Sequence, residues 1–520
     1  MATSSTILIT PSFYPFFQRK TQKSKNKVIP LKASKNDQEN PTPAAFKGKF
    51  DRRDLLLGSL GGICGATSAT NFSNKNNFAL AAPITTDINN CSLPTELPSG
   101  VNVPFNCCPP PNSKKILDFS LPASNSLLRV RPAAHLVDDE YVRKYSKAIE
   151  LMKALHDDDP RSFLQQANVH CAYCEGSYKQ DNYDNLQLQI HSSWLFFPWH
   201  RYYLYFYDKI LASLIKDPTF ALPFWNWDSP PGMQMPRIFL NEKSSLYNVY
   251  RNAKHQSPNV LIDLDYSGTD LDITNEQHIS KNLIIMYRQM VSNAKTAKLF
   301  FGQPYRAGDE ENPGAGSIEN LPHNNVHEWS GDPTQPNNED MGNFNSAARD
   351  PMFFSHHSNI DRMWTIWETL PGKNRKLYTD PDWLNASFLF YDENAQLVRV
   401  KIKDSLDNTK LGYKFQDVKI PWLNARPTPR RLKLEKKSYV TTFPKILETK
   451  FSVSVPRPRK SRSAKEKEDE EEILVVEGIE FEITMFLKFD VYDNDEVDSE
   501  SGQECREFCV CTACTACTWE

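Results

Sequence analysis

The sequence predicts a mainly α-helical protein, a central helical bundle with long loops, followed by β-rich segments toward the C-terminus. Two observations carry that expectation. RYYLYFYDKILASLIKD, 201–217, is apolar nearly all round its circumference, as a helix buried in the centre of a bundle must be. After Pro371 the texture changes to DPDWLNASFLFYDENAQLVRVKIKDSL, β-branched and aromatic with no helical period. A chain of 520 residues, 39% apolar and 12% aromatic, can bury a large core. Its net charge of −3, with both signs mixed along most of the length, supplies no basic stripe to neutralise phosphates, so nucleic acid is not an expected partner. No apolar run reaches the roughly 18 to 20 residues that span a bilayer, so no membrane span is expected.

Taken in order, residues 1–81 read as an address. The first acidic residue is Asp37, and the stretch before it is rich in Ser, Thr, Lys and aromatics, the composition of an organellar transit peptide. Arg52-Arg53, the short apolar stretch LLLGSLGGICGA and Ala79-Leu80-Ala81 then read as a twin-arginine export signal with a small-residue cleavage pattern. Together they predict a bipartite transit peptide, into a plastid and then the thylakoid lumen. The plainer alternative is a disordered basic tail with a short buried helix.

From 82 to about 130 the chain is Pro/Ser/Asn-rich and loop-like. DDEYVRKYSKAIELMKALHDDDP, 138–160, has Val142, Tyr145, Ile149, Met152 and Leu155 at helical spacing behind an acidic start. Residues 283–291, 323–329 and 357–370 are further helix candidates, separated by loops marked PPGM, NPGAG and DPTQPNNED. A segment at 373–454 follows the bundle, and 455–472 is an exposed linker, a basic block running into an acidic one. ILVVEGIEFEITMFLKFDVYDND then reads as strands, before the Cys-rich tail CREFCVCTACTACTWE within 473–520.

Beyond residue 81, Cys91, Cys107, Cys108, Cys171 and Cys174 fall early, and none follows Cys174 until residue 505. Adjacent Cys107 and Cys108 can hardly bridge each other, so each needs its own partner, and five cysteines leave one over. CAYC, 171–174, also matches a thioredoxin-like redox motif, though without a βαβ context. The terminal cysteines could hold a soft metal, but nothing nearby supplies a folded site for one.

The chain has eleven histidines, and most fall in patterns. His323 and His327 are four apart, so on a helix they share a face and can grip one ion. HNNVH lacks the glutamate of the HExxH peptidase motif. His357 and His200 are each expected to open a helix, His191 lies nine residues before His200, and His170 stands upstream. A lone buried histidine is more often a hydrogen-bonded core residue than a ligand, but two half-sites of three imidazoles with no carboxylate or thiolate suit copper ahead of zinc. Two such ions a few ångströms apart could bind dioxygen between them, with Phe196, Phe197, Trp199, Phe353 and Phe354 as a water-excluding wall.

VHCAYCEGSY, HSSWLFFPWHRYYLYFYDKIL, LPHNNVHEWSG, DMGNFNSAARDPMFFSHHSNIDRMW, DPDWL and KFDVY, in this order and covering nearly the whole chain, resemble the type 3 copper family, specifically the plant polyphenol oxidases. The resemblance implies a dicopper catalytic domain over 82–372, then a DWL-type segment and a KFDV-type β domain. It implies one copper on His170, His191 and His200 and a second on His323, His327 and His357, with His356 a neighbour. It further implies disulfides Cys91–Cys108 and Cys107–Cys171, and a thioether from Cys174 to the His191 ring, which together use all five early cysteines. Phe344 corresponds to a gate residue, and the implied reaction is oxidation of o-diphenols to o-quinones by dioxygen.

Glu319, four residues before His323 and on the same face of a helix, is implied by the same resemblance to hold an ordered water, which Asn324 could orient, and the pair would then add ortho-hydroxylation of monophenols. The alternative makes Glu319 an ordinary helix-start acid and Asn324 a surface amide. Asp361 is expected either to anchor a ligand histidine or to form a salt bridge with Arg362 neighbours or Arg349. The KFDV-type domain begins as in the family and stops after some thirty residues, which implies too few strands to close a sandwich and keep the site latent. A hemocyanin-like dioxygen carrier would use the same six histidines, and a specialised hydroxylase of plant phenolic biosynthesis would differ in its pocket walls.

Overall fold

In the computed structural model the described residues are 82–93, 106–109, 115–123, 126–372 and 376–427, with the backbone of six strands outside these ranges. Two compact units are distinguished, Met1–Tyr14 with Ala81–Glu520, and Pro15–Leu80. The second lies outside the described residues, as does nearly all of the expected transit peptide.

The helical core is built from α1 (Asp139–Lys153), α2 (Phe163–Cys174), α3 (Phe196–Leu214), α4 (Asn275–Tyr287), α5 (Ala297–Phe301), α6 (Asn324–Ser330), α7 (Met352–Thr369) and α8 (Pro381–Asn385). Helix α1 starts where Asp138 accepts from the Tyr141 N–H and ends at residue 153, short of the expected 160, because the run HDDDP cannot continue it. Helix α2 was not anticipated: Ser162 caps it, yet nine of its twelve residues are buried, so it shows no amphipathic period. Helix α3 begins five residues earlier than expected, since Pro198 sits in the first turn where no N–H is needed. His200 therefore lies inside α3 rather than opening it, and His357 lies inside α7, which starts at Met352. Asp350 starts α7 by accepting from the Met352 N–H at 2.8 Å while its carboxylate takes Arg251 at 2.6 Å.

Helices α3 and α7 pack side by side in the centre of one large hydrophobic cluster. DPDWL forms the one-turn helix α8, with Pro381 at its first position and Asp380 as cap. The β texture beyond it becomes an antiparallel pair, Ser387–Tyr391 with Leu397–Lys401, joined in parallel by Ile116–Asp118. Tyr413–Phe415 pairs in parallel with Arg129–Arg131. Backbone strands occur at Phe451–Pro456, Glu472–Val475, Lys488–Asp493, Phe508–Thr512 and Ala516–Trp519, and Ser4–Ser12 lies between the first and third of these. Most of the expected C-terminal β-rich region lies outside the described residues. No helix among the described residues is long and apolar enough to cross a membrane.

Candidate metal centre

Two histidine clusters emerge, His170 with His191 and His200, and His323 with His327, His356 and His357. His170 comes from the last turns of α2, His200 from α3 and His191 from the loop before α3, whose next residue Ser192 has a φ of 53°. His323 precedes α6, His327 lies one turn on, and His356 and His357 lie on α7. The clusters face each other: the His200 and His357 rings stack at 4.1 Å and those of His191 and His323 at 5.9 Å.

The polarity of the ring hydrogen bonds shows what these imidazoles can do. Nδ1 of His170 donates to the Phe344 carbonyl at 2.9 Å, and Nδ1 of His200 to the Phe196 carbonyl at 2.8 Å. Nδ1 of His323 donates to Asn324 Oδ1 at 2.9 Å, and Nδ1 of His327 to the Met341 carbonyl at 2.7 Å. A neutral imidazole whose Nδ1 carries the proton presents its Nε2 lone pair, as a metal ligand must. Nε2 of His170, His200 and His323 has no hydrogen-bond partner among the described residues, and Nε2 of His327 lies 3.1 Å from Nε2 of His357. Bare lone pairs in a buried site are costly unless a cation takes them, so the donor set fits a pair of metal ions.

Burial holds the rings in the neutral, ligand-ready form. It pushes His170 down to about 3 and His327 to about 4, and holds His191, His200, His323 and His357 well below the ordinary range, helped by the neighbouring imidazoles.

Of the five expected wall aromatics, three face the imidazoles: Phe196 at 4.7 Å from His323, Trp199 at 4.8 Å from His200, and Phe353 at 4.2 Å from His357. Phe197 and Phe354 instead stack on Phe300 and Tyr207, in the surrounding core. Phe344 stacks on His191 at 4.5 Å and is 42% exposed, so it stands between the site and solvent.

Glu319 and His323 do not share one helical face, because Leu321 breaks the turn at φ −146°, ψ 119°. The buried Glu319 carboxylate reaches the other half-site, accepting the Ser192 N–H at 2.5 Å beside His191. Asn324 is committed to His323. Asp361 touches no ligand ring: it takes Arg201 at 2.6 Å, Arg131 at 2.8 Å and the Tyr413 hydroxyl at 2.5 Å. The salt-bridge expectation holds with different partners, and Arg362 pairs with Asp228. Cys91–Cys108 and Cys107–Cys171 are disulfides, the second beside His170, while Cys174 is a buried thiol in neither. CAYC thus closes a helix and is no redox pair. Sequence reasoning missed the Phe344, Met341 and Phe196 carbonyls, because a backbone acceptor leaves no trace in residue type.

A mainly helical core holding two facing imidazole clusters defines a tyrosinase-type protein, and the common central domain of tyrosinase matches residues 160–370. The polyphenol oxidase middle domain matches 378–428, and the chloroplastic polyphenol oxidase C-terminal domain 443–516. "Polyphenol oxidase, chloroplastic" of Malus domestica is 57% identical over 510 residues, 94% of this chain and 84% of that one. "(+)-Larreatricin hydroxylase, chloroplastic" of Larrea tridentata is 48% identical over 521 residues, 98% and 87% of the two chains. The solved structure of latent apple tyrosinase superposes with a TM-score of 0.72 at 59% identity, covering 78% of this chain and 90% of that one. The chain belongs to the plant polyphenol oxidase family, oxidoreductases that act on phenols at a type 3 dicopper centre.

Proposed function

We propose that this chain oxidises o-diphenols to o-quinones with dioxygen, with one copper on His170, His191 and His200 and the other on His323, His327 and His357. The observation that carries this is the pair of buried, facing clusters in which Nε2 of His170, His200 and His323 has no protein donor among the described residues. Bound there, the copper pair supplies the redox chemistry: two catechols give up four electrons and four protons, and one dioxygen becomes two waters. The protein's part is access and orientation. Phe344 offers a ring on which an entering phenol can stack, and Phe196, Trp199 and Phe353 keep the site dry. The Cys174 sulfur would be joined to the His191 ring as a thioether, the S–H and one ring C–H giving up two protons and two electrons to dioxygen with the copper pair bound, and would fix an imidazole that has no hydrogen bond to either nitrogen among the described residues.

Ortho-hydroxylation of monophenols is part of this proposal. Glu319 and Asn324, with acceptor oxygens beside His191 and His323, would hold a water that takes the phenolic proton. Tyramine and catechol turnover by the copper-loaded enzyme tests it: Glu319→Gln should lose tyramine oxidation and spare catechol, and equal loss on both sinks the water-holding role. The relative named larreatricin hydroxylase favours a second reading, a specialised hydroxylase with one preferred phenol, which substrate profiling separates. Residues 1–81 are proposed to carry the chain into the chloroplast, as the names of the relatives suggest, and on to the thylakoid lumen. Import into isolated chloroplasts followed by N-terminal sequencing checks this, with cleavage expected after Ala81.

A further inference from the structure

The second cluster contains four imidazoles, one more than a three-histidine copper uses. We propose that Trp227 is a positioning residue that keeps His356 off the second copper: its indole N–H holds the His356 ring in the tautomer that offers no lone pair. This rests on the dicopper reading above.

Trp227 Nε1 donates to His356 Nδ1 at 3.1 Å, and both side chains are fully buried. An indole nitrogen is a donor only, so His356 Nδ1 must be the acceptor. The single proton of the neutral ring then sits on Nε2, which has no hydrogen-bond partner among the described residues. Neither nitrogen of His356 can therefore coordinate: one lone pair is engaged and the other position is protonated. His170, His200, His323 and His327 are the reverse, because their Nδ1 atoms face carbonyl oxygens that accept and leave Nε2 bare. The direction of one hydrogen bond thus separates non-ligand from ligand within a group of near-identical rings.

The indole is held in register with the helix that carries His356. The neighbouring Asp228 takes Asn359 Nδ2 at 3.0 Å and Arg362 at 3.0 Å, both on α7, and Trp422 Nε1 at 2.9 Å. Asn359 lies three residues and Arg362 six residues beyond His356, so the loop bearing Trp227 is clamped to the same rigid element as the ring it polarises.

Copper per chain, measured by mass spectrometry on the copper-loaded full chain, tests this. His356→Asn, which keeps an acceptor oxygen for the indole, should retain two coppers, and His357→Asn should drop to one. Adding Trp227→Phe to His357→Asn should restore the second copper, because His356 is then free to present a lone pair. Loss of a copper in His356→Asn would overturn the proposal, as would a folded double variant that stays at one. A measurement that does not need the Trp227 variant is the nitrogen-15 spectrum of the metal-free wild type. There the His356 signals, assigned by their loss in His356→Asn, should show the Nε2–H tautomer; the Nδ1–H tautomer overturns the idea. A wild type that takes up fewer than two coppers refutes the dicopper reading instead.

Discussion

The two half-sites bind the same kind of ion with the same kind of ligand, but they are assembled differently. The half-site of His170, His191 and His200 draws on a helix end, a loop and a second helix, and its pieces are held from outside. The Cys107–Cys171 disulfide lies beside His170, and the Glu319 carboxylate pins the backbone after His191. The half-site of His323, His327 and His357 draws on helix α6, the residue before it and α7, and has an imidazole to spare. The first has the problem of fixing a loop, which a buried carboxylate solves and the proposed Cys174 thioether would reinforce. The second has the problem of choosing among too many donors, which hydrogen-bond polarity solves.

The harshest way to break the comparison is to remove a ligand from either side. His200→Ala and His327→Ala should each cost more than the roughly 100-fold in activity typical of losing a group that merely supports a ligand. Each should leave one copper per chain, read by metal analysis beside catechol turnover. Next is the link between the halves, the buried pair of Arg201, which follows His200, and Asp361, four residues after His357. Asp361→Ala strands Arg201 without its carboxylate partner, leaves Arg131 with Asp208 alone, and should cost about 3 to 5 kcal/mol in urea unfolding, with both coppers weakened together. A loss confined to one copper would show that the halves are set independently.

Cys174→Ala sharpens the contrast, since only the first half-site has a ligand in a loop. Copper affinity there should fall about 10-fold with the second copper unchanged. The wild-type peptide mass should also be two hydrogens short of the free residues.

The smallest effect concerns Asp340, at the base of the loop that supplies the Met341 and Phe344 carbonyls to one ligand of each half. Burial raises its carboxyl to about 6, offsetting the hydrogen bond from Asn248. A folded pKa above the unfolded value favours the protonated fold. That contribution is complete below about pH 4 and is lost as pH rises through about 6. Asp340→Asn removes the dependence, so the variant should gain on the order of 1 kcal/mol over wild type between pH 4 and pH 8, read by urea midpoints. A gap that does not change with pH refutes the assignment.

The two histidine clusters and the helices that carry most of them were legible because imidazole spacing and apolar runs are properties of residue type. Helix α2 was hidden because burial on every side erases the period. The salt bridge of Asp361 was legible but its partners were not, because Arg131, Arg201 and Tyr413 come from separate stretches of chain, and sequence distance says nothing about which arginine arrives. The kink at Leu321 redirected Glu319 to the opposite half-site, a change that no spacing rule anticipates.

One further consequence follows from Phe344. Its carbonyl holds His170 and its ring lies over His191, so one residue orients an imidazole with its backbone and presents its exposed side chain above the site. Every non-proline replacement keeps the amide geometry that orients the ligand, while the exposed group above the site is free to vary. Duplicated copies of such a gene can therefore drift toward new phenols one side chain at a time without first losing the ability to oxidise the old ones.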